Sequence, residues 1–233
     1  MYEAYWGLTQ RPFREHPDPD VFVRTDSHHA AILKLRYLIE HRLGLGVLAG
    51  DVGMGKSTVA AVLQRDLPKI HRPLIFIHYP CLTATEFLSY LAVELGADTV
   101  GEATRAAGND EIIRQIQRQL LRHNESGRVP AIFVDEAHLI ENPETLQSLR
   151  LLLNFRQPPH VDFSMVLIGD LTLLPQIQRM AALDDRVAVK CLLQPLSLAD
   201  TEDYVSRRLL ASGASRPIFD EKAIRAVHEL SGG

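Results

Sequence analysis

The stretch Gly50-Asp51-Val52-Gly53-Met54-Gly55-Lys56-Ser57 decides the fold, because it fits the pattern G-x-x-x-x-G-K-[ST]. Before it, Leu45 to Ala49 is a short apolar run and reads as a buried strand; after it, Lys56 to Leu67 has helical periodicity. In a strand-to-helix turn of this kind, glycines let successive backbone N–H groups point inward around phosphates. Lys56 is expected to reach the β- and γ-phosphates and the Ser57 hydroxyl to coordinate Mg²⁺, while the helix adds the positive end of its dipole. The expected cradle for ATP or ADP therefore comprises Gly50, Asp51, Val52, Gly53, Met54, Gly55, Lys56, Ser57 and Thr58. A chance match in a glycine-rich loop is the alternative, and the strand-turn-helix context argues against it.

Further along, Ala131-Ile132-Phe133-Val134-Asp135-Glu136-Ala137-His138 is four apolar residues followed by two carboxylates. Alone this is a common surface feature; downstream of a phosphate loop it reads as a strand whose end carries the catalytic acids. Asp135 is expected to hold Mg²⁺, directly or through water, and Glu136 to polarise the attacking water as general base. A later apolar run, Ser164 to Ile168, ends at Gly169-Asp170. Asp170 is either a polar sensor of the γ-phosphate or the N-cap of the segment after it. Arg179 and Arg186 come next, each a candidate arginine finger for a neighbouring subunit or a solvated charge, with Arg186 favoured.

Around these motifs strands and helices alternate. Leu74 to His78 and Val187 to Leu193 read as further strands, and Asp26 or Ser27 can cap a helix running to about His41. Helical patterns at Thr85 to Leu95, at Asp110 to His123 and in PETLQSLRLLLNF separate the strands, so a parallel sheet covered on both faces is expected. Beyond Pro195 the alternation stops, and Ala199 to Leu210 and Asp220 to Leu230 look purely helical. Residues 1–27, rich in aromatics, Pro and Asp, read as an arm packed on the domain after it. The expected organisation is an arm at 1–27, an α/β nucleotide-binding domain at 28–195 and a partial helical lid at 196–233.

The 233 residues, 46% of them apolar and 23% charged, have the composition of a soluble globular protein, with no repeat and no low-complexity tract. A net charge of −4 provides no global attraction to nucleic acid or anionic membrane. Arg114, Arg118 and Arg122 line one helix face, but no aromatic residues interleave with them, so a solvated face is preferred to a phosphate-backbone contact. Cys81 and Cys191 lack metal or redox spacing and are expected to be buried, reduced thiols. His28 and His29 lack a third ligand and do not read as a metal site. With no leader and no membrane-length apolar stretch, the chain is expected to be cytoplasmic and to make no membrane contact.

The ordered run of MYEAYWGLTQRPF, PDPDVFV, SHHAAILKLRYLI, GDVGMGKST, FVDEAHLI, LRLLLNF, DRVAVKCLLQPLS and ELSGG resembles the ATPase domain of the ExeA family, also called general secretion pathway protein A. The resemblance covers essentially the whole chain. It implies an AAA+ ATPase of the P-loop α/β class, with a five-stranded parallel sheet of order 5-1-4-3-2 and a partial C-terminal helical lid. It also implies a homo-oligomer when nucleotide is bound, partners in an envelope secretion or pilus system, and a full-length protein anchored to the inner membrane. By position it assigns Lys56, Ser57, Asp135 and Glu136 to catalysis, Arg186 to the finger, and Pro12, Phe13 and His28 to contacts with adenine. The same ATPase type is similar to DNA-associated transposition regulators of the TniB and TnsC kind, the alternative reading. A nucleotide-gated scaffold with little turnover is the other. Three departures matter. Where the family has Gln in the sensor this chain has Asp170, Tyr79 replaces an Asn, and the chain stops before a Pro-Arg that would bring a lid arginine, which implies a truncation.

Overall fold

In a computed structural model, residues 2–13, 19–98, 109–156 and 161–233 are described. Part of the expected arm, 14–18, lies outside them. Five strands, β1 (Leu45–Ala49), β2 (Leu74–Ile77), β3 (Ala131–Val134), β4 (Ser164–Gly169) and β5 (Val187–Leu192), form one sheet in the order β2-β3-β4-β1-β5. All four pairings are parallel. Read from the other edge this is the expected order 5-1-4-3-2. The inner strands β1, β3 and β4 are buried at every position, whereas β2 and β5, at the edges, alternate. That contrast is why the inner strands read as unbroken apolar runs.

Side-chain alternation along each inner strand feeds two cores. Val47, Ile132, Met165 and Leu167 point to one face, where they meet α4 (Ala84–Glu94), α5 (Asn109–Glu125), α6 (Pro143–Leu152) and α7 (Leu173–Gln178). Leu48, Phe133, Val166 and Ile168 point to the other, under α2 (Asp26–Glu40) and α3 (Lys56–Asp66). Ala31, Leu35 and Leu38 of α2 are buried as its periodicity predicts. Its N-cap is Thr25, not Asp26 or Ser27, and the Thr25 hydroxyl is engaged with His28 instead of a backbone N–H.

After β5 come only helices, α9 (Leu198–Ala211) and α10 (Glu221–Ser231), while the short α1 (Tyr2–Trp6) opens the chain and α8 (Ala181–Asp184) precedes β5. Ser197 and Asp200 form a capping box at the start of α9. Leu8 packs with Val205, Leu209 and Ala214, and the Thr9 N–H donates to the Ser212 carbonyl at 2.8 Å. The described start of the arm thus docks on the C-terminal helices. Cys191 is buried in β5, and burial pushes its thiol up to about 11. Cys81 corrects the expectation of two buried thiols: it is exposed, because it follows Pro80 where the chain leaves the edge strand β2. Among the described residues no helix is long and apolar enough to cross a membrane.

Candidate functional site

The phosphate loop leaves β1 at Ala49 and enters α3 at Lys56. Gly53 and Gly55 have φ of 84° and 77°, values that a side chain disfavours, and Gly55 is the left-handed N-cap of α3. Lys56 occupies the first turn and points back toward the helix start, as helical side chains do. Its ammonium donates to the Gly50 and Asp51 carbonyls at 2.8 and 2.9 Å. His28, from α2, reaches the loop from the side: its Nε2 is 2.8 Å from the Met54 carbonyl and its Nδ1 is 2.6 Å from the Thr25 hydroxyl. Both ring nitrogens are therefore engaged by the protein.

At the end of β3, the Asp135 N–H donates to Ile77 and its carboxylate accepts the Glu136 N–H at 3.0 Å, with His78 at 3.8 Å from its second oxygen. Glu136 sits in the left-handed region, φ 49°, and keeps its side chain 48% exposed. At the end of β4, Asp170 both lines the cavity and shapes the turn into α7, whose N-cap is Thr172. One carboxylate oxygen accepts the Thr172 N–H at 2.8 Å and the Thr172 hydroxyl. The other faces His138 Nε2 at 3.4 Å. The hydroxyl of Thr172 holds the Asp170 carboxyl below the usual range; the Thr172 N–H and the ammonium of Lys56 add to this, against partial burial.

These residues converge on one cavity of about 780 Å³ at the C-terminal edge of the sheet. Its wall includes Val52 to Thr58, Glu136, His138 and Asp170, together with the aromatic side chains of Phe13, Phe22, Tyr204 and Phe219. Asp135 lies next to this wall, and Gly50 and Asp51 lie behind it, holding Lys56. Of the arm residues, Phe13 lines the cavity and packs 6.2 Å from Tyr204, whereas Pro12 is buried away from it. Arg179 and Arg186 are exposed and off the cavity; Arg186 donates to Asn154 at 2.9 Å. Arg114, Arg118 and Arg122 lie on α5, and Arg118 pairs with Glu111 at 2.7 Å.

Two residues on the wall carried no signal in the local sequence. His138 is 16% exposed and lies between Glu136 and Asp170. The adjacency of β3 and β4 in the expected strand order is the one clue that points to it. Arg208, from α9, is 9% exposed, lies 5.5 Å over the Tyr204 ring and donates to the Tyr204 hydroxyl at 3.3 Å. The resemblance assigns no role to any residue of α9, so it gives no sign of Arg208.

The profile of the AAA domain matches residues 39–177, from the end of α2 through the phosphate loop, both carboxylates and α7. The chain belongs to the AAA domain family. Over its whole length this AAA domain is 32% identical to General secretion pathway protein A of Aeromonas hydrophila, of which it covers 42%. The chain thus spans less than half the length of that relative. Its fold is similar to Cdc6p from Pyrobaculum aerophilum, with a TM-score of 0.68 and 14% identity over 91% of this chain and 58% of that one. It is likewise similar to the ORC2 protein of Aeropyrum pernix, solved as ADPNP-ADP complexes, with a TM-score of 0.64 and 15% identity over 91% of this chain and 57% of that one. At such identities the two structures speak for the P-loop AAA+ fold alone.

Proposed function

We propose that this AAA domain binds ATP with Mg²⁺ and hydrolyses it, as a motor or switch that works in an assembly of its own copies. The observation that carries the reading is the convergence of Lys56, Glu136 and Asp170, from three different elements, on one cavity beside a glycine loop. The loop fits polyphosphate because its two left-handed glycines keep Cβ atoms out of the cradle. Lys56 exchanges its loop carbonyls for phosphate oxygens, keeping a charge-assisted hydrogen bond throughout. Ser57 and Asp135 would hold Mg²⁺ through side-chain oxygens, hard donors of the kind this ion takes. When bound, the ion neutralises charge on the phosphates. Glu136, half in solvent, accepts a proton from water at the cavity mouth, and the aromatic wall of Phe13 and Tyr204 takes the base.

The whole-chain likeness to General secretion pathway protein A supports a role in assembling an envelope secretion or pilus system. The same likeness supports the reading that this domain is cytoplasmic, with an inner-membrane anchor elsewhere in the protein. Arg118 is already paired with Glu111, which counts against the arginine face of α5 as a DNA contact. The test compares Lys56→Ala with Glu136→Gln in nucleotide binding and phosphate release. Lys56 touches ground-state phosphate, so its loss should abolish binding; Glu136 matters when water attacks, so Glu136→Gln should bind ATP and lose about 10²-fold or more in turnover. Undiminished phosphate release by Glu136→Gln would refute the assignment.

A further inference from the structure

Among the described residues, His138 is the side chain that meets both carboxylates of the cavity wall. Its Nδ1 is 3.5 Å from Glu136 Oε2 and its Nε2 is 3.4 Å from Asp170 Oδ2, while the Asp170 backbone N–H donates to Nδ1 at 3.3 Å. Room for the ring comes from Gly169, where a Cβ would stand 3.2 Å from His138 Nδ1 and 3.2 Å from its backbone nitrogen. The chain brings the ring there because β3 and β4 are neighbours, with Val134 opposite Leu167, so that the turns leaving both strands emerge side by side.

The hydrogen bonds select a tautomer. A carboxylate only accepts, so Asp170 favours the proton on Nε2; the Asp170 N–H only donates, so it requires a lone pair on Nδ1. Side chain and backbone of one residue therefore ask for the same form of the ring. Thr172 ties down the other Asp170 oxygen and so fixes the carboxylate that makes this choice. In that form Nδ1 has no proton to give Glu136, even though Glu136 is within reach. The opposite tautomer would donate to Glu136 and occupy the carboxylate needed by water.

We propose that His138 is a positioning residue through which Asp170 controls Glu136: Asp170 holds the ring with its unprotonated Nδ1 toward Glu136 and so keeps that carboxylate free to act as base. This rests on the reading of Glu136 as the group that activates water. It gives the unusual acidic residue at the end of β4 a task that a γ-phosphate contact does not: it sets the ring's tautomer.

The experiment is a double-mutant cycle on turnover with His138→Ala, Asp170→Ala and the combined variant, together with binding of a fluorescent ADP and long-range ¹H–¹⁵N spectra of the histidine rings. Asp170→Ala should lower kcat about tenfold or more, the scale of a misplaced catalytic group, and leave ADP affinity unchanged. His138→Ala should do the same, and adding Asp170→Ala to it should cost nothing further, because Asp170 acts through the ring. His138→Gln, which keeps a donor toward Asp170, should recover part of kcat. The wild-type ring should be protonated on Nε2 and shift toward Nδ1 in Asp170→Ala. Multiplying losses in the cycle, or a wild-type ring protonated on Nδ1, would overturn the link. A wild type with no turnover would instead refute the ATPase reading, and the ring spectra of wild type and Asp170→Ala would still decide whether Asp170 sets the tautomer.

Discussion

The Nε2 of His28 lies 2.8 Å from the Met54 carbonyl oxygen, so α2 holds the phosphate loop by its flank. A carbonyl only accepts, which puts the ring proton on Nε2 and leaves Nδ1 to accept from the Thr25 hydroxyl. His28 therefore shapes the loop, and its nitrogens are not free for adenine. His28→Ala should lower ADP affinity about tenfold, equivalent to about 1.4 kcal/mol, a typical loss for one buried hydrogen bond. His29→Ala, on the exposed side of the same helix, is the control and should leave affinity unchanged in calorimetric titration. Equal losses from both variants would deny the His28 contact its role.

Gly55 and Gly53 should respond differently to a methyl group. Both have positive φ, so either substitution to Ala carries a backbone cost of about 1–2 kcal/mol. At Gly55 the added Cβ would also stand 3.0 Å from His28 Nε2, whereas at Gly53 nothing lies within 4 Å. Gly55→Ala should therefore melt at a lower temperature than Gly53→Ala and bind ADP more weakly. Thermal unfolding with and without ADP measures both; the reverse order would contradict the His28 contact.

Arg186 precedes β5, whose C-terminal end lies beside the cavity, so the six residues of the strand, about 20 Å in length, separate it from its own site. An arginine so placed is out of reach of its own nucleotide, so a finger role would be played on another copy's. Turnover per subunit should rise with protein concentration, and Arg186→Ala should cost about 10³-fold or more in the assembled state. Mixing Arg186→Ala with Lys56→Ala subunits should restore part of the activity, because the first keeps an intact site and the second an intact arginine. Co-assembly without recovery would transfer the role to Arg179.

Asp170 and Asp200 both contribute to the acid side of the stability profile. Asp170 is held below the usual carboxylate range first by the Thr172 hydroxyl, and Asp200 first by the Ser197 hydroxyl. A carboxyl whose pKa is lower in the folded state stabilises the fold above its unfolded value, about 3.9, and loses that effect as pH falls through the folded value. Asp170→Asn and Asp200→Asn should each melt below wild type near neutral pH and converge with it in acid. A gap in melting temperature that does not change with pH would argue against these hydrogen bonds.

Most of the framework was legible because it is written locally. Ala131 to Val134 is a strand in sequence and in structure, and the helix after the phosphate loop ends within a residue of its expected end. Apolar runs and periodicities report burial directly, and a glycine loop ending in Lys-Ser tells its own geometry. The exposure of Cys81 was not legible from cysteine spacing, which argues against a metal or redox pair but carries no information on burial.

By itself, then, the sequence determined the parallel sheet, the glycine cradle and the two acids after β3, since each depends on residues adjacent in the chain. Tertiary structure alone decided that His28 braces Met54, that Arg208 reaches the cavity from α9, and that His138 lies between Glu136 and Asp170. Those contacts span 26 residues for His28 and Met54 and 32 for His138 and Asp170. They come from strand order and helix packing, which bring together side chains whose own neighbours in sequence carry no sign of the meeting.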